Sequence, residues 1–191
     1  MDSVLDVLRA EHQRILEGTD LALAVADRLE RGATVPTGTL SALTNFFSYA
    51  VHRNHRDKED SLLFPRLHHR GFAEEAGCVT VLLREHSECA TAFSRMVAAA
   101  EGHEHGDRQA AAEWIAAARQ YVDGLRRHLQ REDEVLFPQA ERLLTADDCR
   151  ELATAFAEFD ERAKFTGLDE VWEDLERVRR TLTQTQLPRR C

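Results

Sequence analysis

Two stretches of this chain share one design: His55-Arg56-Asp57-Lys58-Glu59 followed by Leu63-Phe64-Pro65, and His128-Leu129-Gln130-Arg131-Glu132 followed by Leu136-Phe137-Pro138. The second block lies 73 residues after the first at every shared position, and upstream of each a Glu-His pair recurs, Glu11-His12 and Glu85-His86, at an offset of 74. Apolar residues recur at helical rather than alternating spacing, so no strand is needed anywhere. A unit repeated in series predicts two helical hairpins of one design, and packing them together brings four helices around one axis. The expected fold is all-α: an up-down-up-down four-helix bundle with an additional C-terminal helix.

Working outward from the repeat, a first helix is predicted from about Val4 to Arg31, ended by Gly32. The second runs from near Thr37 through Phe64-Pro65 to about His69, and the third from after Arg70-Gly71 to about Glu101. Gly102 to Gly106 reads as a loop before a fourth helix from about Asp107 to Leu144. Thr145 to Asp148 has the form of a helix cap opening a fifth helix, with Gly167 as a point of interruption and a polar tail beyond it. These marks divide the chain into a bundle at 1–145, a helical extension at 146–182 and a flexible tail at 183–191.

With 191 residues, 43% of them hydrophobic, the chain has material for one core rather than two. Its formal charge of −9 repels polyphosphate, and the basic residues are scattered, which argues against nucleic acid as a partner. Cys78, Cys89, Cys149 and Cys191 share no metal or disulfide spacing, and neither a leader nor a long apolar span is apparent. The expectation is a soluble protein of the reducing cytoplasm with no membrane contact.

A His and a Glu four residues apart on a helix project from one face about one turn apart. His55 with Glu59 and His128 with Glu132 therefore form two clamps, and His12 and His86 add one imidazole each from the neighbouring helices. Four nitrogens and two carboxylates suit iron or manganese better than a structural zinc, which favours thiolates and closes at four ligands. Two octahedral ions need about twelve coordination positions. Imidazoles fill four, two bridging carboxylates four and an oxo or hydroxo bridge two, so about two stay open to a small ligand.

In this ordered pattern of His, His-x3-Glu with Leu-Phe-Pro, His, and His-x3-Glu with Leu-Phe-Pro, the chain resembles the hemerythrin HHE cation-binding family from roughly Leu5 to Leu144. The resemblance implies metal ligands at His12, His55, Glu59, His86, His128 and Glu132, with Glu59 and Glu132 bridging. It further implies two iron ions joined by an oxo or hydroxo bridge, with manganese as second choice, and dioxygen, peroxide or nitric oxide as small ligands. The chain also departs from the oxygen-carrying members. Their third helix supplies two histidines four apart, whereas Leu82 and Ala90 flank His86 at that spacing, and their bridging aspartate lies five residues after the fourth-helix histidine, whereas Glu132 lies four after His128. The missing histidine argues against reversible oxygen carriage. Some iron-sensing members use a carboxylate beside the second-helix histidine, where this chain has Arg56.

His52 lies three residues before His55 on the same face. Seven residues separate it from Glu59, about 10 Å along a helix, so it is either an extra ligand brought in by a tilt or a group lining the pocket. Tyr49, one turn earlier, either lines the same channel or packs. Cys89 reads as a buried small hydrophobe, and Phe46, Phe47, Leu62, Phe93 and Trp114 read as bundle packing. The two Phe-Pro dipeptides read as packing and kink elements. His68, His69, His103 and His105 are expected in solvated loops, and the other acids of Asp57 to Asp60 and Glu132 to Glu134 on solvated faces.

Three functions remain open at this point. One is a di-iron enzyme of catalase-like, peroxide-consuming or nitric oxide-consuming type, active in oxidative stress. Another is a non-enzymatic module binding or sensing iron or oxygen, with the fifth helix as readout surface, and the third is a metal-free bundle. A monomer or a homodimer suits each. Ferritin-like storage is disfavoured, because that pattern uses Glu-x-x-His pairs.

Overall fold

The computed structural model describes residues 4–72, 78–107, 109–165 and 167–184, and all regular structure among them is helical. The first helix spans Val4–Glu30 and ends at Gly32, whose φ of 73° suits a residue without Cβ. The second is continuous but not uniform: α over Thr39–Phe46, π over Phe47–His55, α over Arg56–Lys58, π over Glu59–Leu63 and α over Phe64–His69. The third spans Cys78–Glu104. The fourth is α over Ala110–Arg131, π over Glu132–Leu136 and α over Phe137–Leu143.

The wide π turns have a local cause. Proline lacks an N–H and its ring collides with the carbonyl four residues back, so an α-helix cannot run through it undisturbed. A π turn immediately before each Phe-Pro relieves that conflict, at Glu59–Leu63 and again at Glu132–Leu136. In both repeats the widened turn starts on the clamp glutamate.

The helix boundaries differ from expectation in two places. The third helix continues through Gly102 to Glu104, so His103 is helical, and His68 and His69 close the second helix rather than sit in a loop. The C-terminal extension is interrupted at Gly167, as the sequence suggested: it forms two helices, Ala146–Phe165 and Leu168–Gln184, and Gly167 adopts φ 105° between them. Of the expected tail, residues 185–191 lie outside the described residues. Thr145 does cap the fifth helix: its hydroxyl accepts from the Asp148 N–H at 3.2 Å, while its own N–H donates to Asp148 Oδ2 at 2.9 Å.

Two apolar clusters hold the helices together. One gathers Ile15, Ala22 and Val25 of the first helix, Leu43 to Val51 of the second, Cys89 to Ala100 of the third and Trp114 to Leu129 of the fourth. The other gathers Val4, Leu5 and Leu8, then Leu63 to Leu67, Leu82, and Leu136 to Ala140 from the same four helices. The fifth helix adds Leu152 and Phe156 to the second cluster, and the sixth adds Leu168, Val171 and Leu175 to the first. Gly18 lets the first and second helices meet closely, since a Cβ there would lie 2.1 Å from the Phe46 ring. On the first three helices the His and Glu positions fall between the residues of one cluster and those of the other, and on the fourth Glu132 does so while His128 sits beside Leu129 at the edge of the first cluster. The polar layer is thus enclosed by apolar packing on both sides. Among the described residues no helix is long and apolar enough to cross a membrane.

Candidate metal centre

The six side chains singled out by the repeat converge in that layer, and all are buried. The Nε2 atoms of His12 and His55 are 3.1 Å apart, and those of His86 and His128 are 2.9 Å apart. Glu132 reaches both pairs, with Oε2 at 3.4 Å from His12 and Oε1 at 2.9 Å from His128. Glu59 Oε2 likewise lies 3.6 Å from His55 and 3.8 Å from His86. Ligand-type atoms thus form two groups, each spanning no more than 4.8 Å: His12, His55, Glu59 and Glu132, and Glu59, His86, His128 and Glu132. Both glutamates belong to both groups.

This donor set fits bound metal cations. All four carboxylate oxygens of Glu59 and Glu132 are buried without a hydrogen-bond partner, and a buried carboxylate without partners is costly. Two imidazole nitrogens facing each other cannot both keep a lone pair there without repulsion unless something positive stands between them. Burial and the charge of Glu132 push the Glu59 carboxyl well above its ordinary range. Burial works the same way on Glu132, but His128, His12 and His55 outweigh it and hold that carboxyl well down. His12 is raised to about 9, because Asp133 and Glu132 overcome the effect of burial. A bound cation would take over the role these protons play, so binding would release them.

Sequence reasoning missed the shell around the six. Each imidazole turns Nδ1 toward a carboxylate on the next helix: His55 to Glu11 at 2.9 Å, His128 to Glu85 at 3.2 Å, His12 to Asp133 at 3.0 Å. His86 faces Asp60 at 3.3 Å, at ion-pair distance without hydrogen-bond alignment. A proton held on Nδ1 by such a carboxylate leaves the Nε2 lone pair directed inward, which fixes the ring for metal binding. Asp60 and Asp133 were expected on solvated faces, yet each is only about a third exposed and serves a buried histidine. The recurrence of Glu-His and Glu-Asp in both repeats was the available signal. Phe137 stacks on His12 at 5.3 Å and Phe64 on His86 at 6.2 Å, so the repeated phenylalanines shield the two single histidines.

Beside His55, His86 and His128 lies a small cavity, also lined by His52, Arg56, Cys89 and Tyr121, with about 10 Å³ of free space for the centre of a water-sized guest. His52 is not brought among the clustered ligand atoms. Its ring packs at a tilt against Phe93 at 4.5 Å and shares a hydrogen bond with the buried Tyr121 hydroxyl at 3.2 Å, while burial lowers it to about 4 and keeps it neutral. Tyr49 is not among the residues that line the cavity; the Arg53 guanidinium lies over its ring at 4.8 Å. Burial raises the Cys89 thiol to about 11, the state of an unreactive packing group. His68, His69, His103 and His105 take no part in either ligand group.

No curated protein and no solved structure matches the chain. The family profile described as "Hemerythrin HHE cation binding domain" does match, over residues 3–140. That segment contains all six convergent side chains and their four supporting carboxylates, and the chain belongs to the hemerythrin HHE cation-binding family.

Proposed function

We propose that this chain is a cytoplasmic non-heme di-iron protein, reactive toward dioxygen, peroxide or nitric oxide. In this reading His12 and His55 would hold one iron and His86 and His128 the other, with Glu59 and Glu132 available to both. The observation that carries it is the set of four carboxylate oxygens without a hydrogen-bond partner facing four inward Nε2 atoms in a buried layer. The up-down-up-down bundle over 1–145 belongs to the same proposal. Its support is the order in which each helix meets the apolar clusters: the first and third helices run from the second cluster to the first, the second and fourth in reverse.

Iron bound here would supply one-electron redox steps and open positions for a small ligand. The chain's own residues do the rest. Phe64 and Phe137 exclude water from the single histidines, and the Nδ1 carboxylates hold the rings in place. The cavity admits only a small guest on the His55, His86 and His128 side. At its edge the Tyr121 hydroxyl and neutral His52 share a hydrogen bond, a pair of proton-carrying groups suited to proton movement next to the guest. That pair favours turnover over passive binding.

The test is metal content and an ultraviolet-visible spectrum of aerobically purified protein, followed by hydrogen peroxide and then nitric oxide. Two irons per chain, oxo-bridge absorption and prompt consumption of either compound are expected. Two irons without consumption would establish the alternative, a non-enzymatic iron or oxygen binding or sensing module. Absence of metal after iron reconstitution would overturn the proposal.

A further inference from the structure

The fifth helix lies beyond the family-matched segment, which ends at residue 140, yet it reaches the metal layer. Its Asp160 accepts from Lys58 Nζ at 2.6 Å, and Lys58 is wholly buried. With its amide oriented to satisfy both neighbours, Asn54 donates to Asp160 Oδ1 at 3.2 Å and accepts from Lys58 Nζ at 3.3 Å. Lys58 also donates to Glu11 Oε1, and the other oxygen of Glu11 faces His55 Nδ1 at 2.9 Å. A continuous polar line thus runs from the C-terminal extension to one metal-facing histidine.

The line has a built-in reference in the repeat. Arg131 occupies the register of Lys58 in the second half, and its guanidinium pairs with Glu85, the carboxylate facing His128, at 3.0 Å. Arg131 is 40% exposed where Lys58 is 0% exposed. A solvated guanidinium can hold its carboxylate with water satisfying its other donors, whereas a buried ammonium cannot stay charged without protein partners. Asp160 and Asn54 are those partners.

We propose that Asp160 is a positioning residue for the metal centre, acting through Lys58 and Glu11 on His55, so that the C-terminal extension governs the His12 and His55 position and leaves the His86 and His128 position to the bundle itself. This rests on the di-iron reading. A carboxylate that directly supports a ligating histidine, as Glu11 does His55, is worth about 10- to 100-fold in metal affinity; Asp160 acts at one remove, and its effect falls on one ion of the two.

The experiment is release of iron from the loaded full-length protein into excess chelator, followed by absorbance, for wild type, Asp160→Asn, Asp160→Glu and Glu161→Gln. Glu161 pairs with Lys164 on the same helix and is 75% exposed, so it reports general disturbance of the extension. Asp160→Asn is expected to speed release of one iron equivalent severalfold, up to about tenfold, with the second equivalent at the wild-type rate. Asp160→Glu is expected to restore slow release in part, and Glu161→Gln to match wild type. Should Asp160→Asn fail to fold, Asn54→Ser loosens the same aspartate without removing charge and is expected to give a smaller change of the same selective kind. Both equivalents leaving at the wild-type rate, or both accelerated alike, would overturn the proposal while the di-iron reading stands. A wild type that takes up no iron would bring down both.

Discussion

The two hairpins carry the same ligand design in the same register, and they differ in what stands behind it. In the first, the cation behind the supporting glutamate is Lys58, fully buried under the fifth helix; in the second it is Arg131, exposed to water. The first half also places His52 on the cavity wall, where the second half has Leu125. The ligand types themselves are matched position for position. A repeated site can therefore keep its metal-facing chemistry symmetric while its surroundings make the two positions unequal.

The largest expected contrast lies in the supporting glutamates. Glu11→Gln and Glu85→Gln should each weaken iron binding by about 10- to 100-fold, measured by chelator competition. Glu11→Gln should cost more, because it leaves buried Lys58 with fewer charged partners. A greater loss from Glu85→Gln would break the comparison. Next come the cations. Lys58→Met should lower stability to urea by about 2 kcal/mol, the cost of breaking a buried pair reduced by the partial solvation of Glu11 and Asp160. Arg131→Met should cost under about 1 kcal/mol, as exposed pairs do. Equal losses would show that burial of Lys58 is energetically unimportant.

The smallest contrast is at His52→Leu, which makes the first half match the second at that position. Burial keeps His52 neutral down to about 4, whereas unfolding returns it to its ordinary value of 6.5. Between those limits the unfolded chain takes up a proton that the folded chain refuses, so wild-type stability falls as the pH drops through that window. His52→Leu should be less stable than wild type by about 1 kcal/mol at pH 7.5, because Tyr121 loses its hydrogen-bond partner. The gap should narrow or reverse by pH 4.5, read from thermal melts at both values.

Much of this was legible in the sequence because the repeat and the helical period act together. The period places His and Glu on one face, and the repeat says that two such faces exist. The end of the third helix was not legible, since Gly102 reads as a loop residue. In the fold its missing Cβ accommodates Ala110, whose own Cβ would stand 3.2 Å from one added at Gly102. Tyr121 was invisible for a related reason: its counterpart in the first repeat is Ser48, so no recurrence marked it. The roles of Lys58 and Asp160 depend on how the fifth helix docks, and docking is decided by three-dimensional packing rather than by any period along the chain.

The carboxylates around the histidines form a closed circuit, in which each helix gives one acid to its neighbour and receives one for its own imidazole. Within one hairpin only one of these links closes, Glu11 to His55 or Glu85 to His128. The remaining histidine and aspartate are open ends that only the other hairpin can complete. The centre is thus the contact surface of a two-fold dimer written into a single polypeptide, and a hairpin cut free of its partner would hold half a circuit and no enclosed metal chamber.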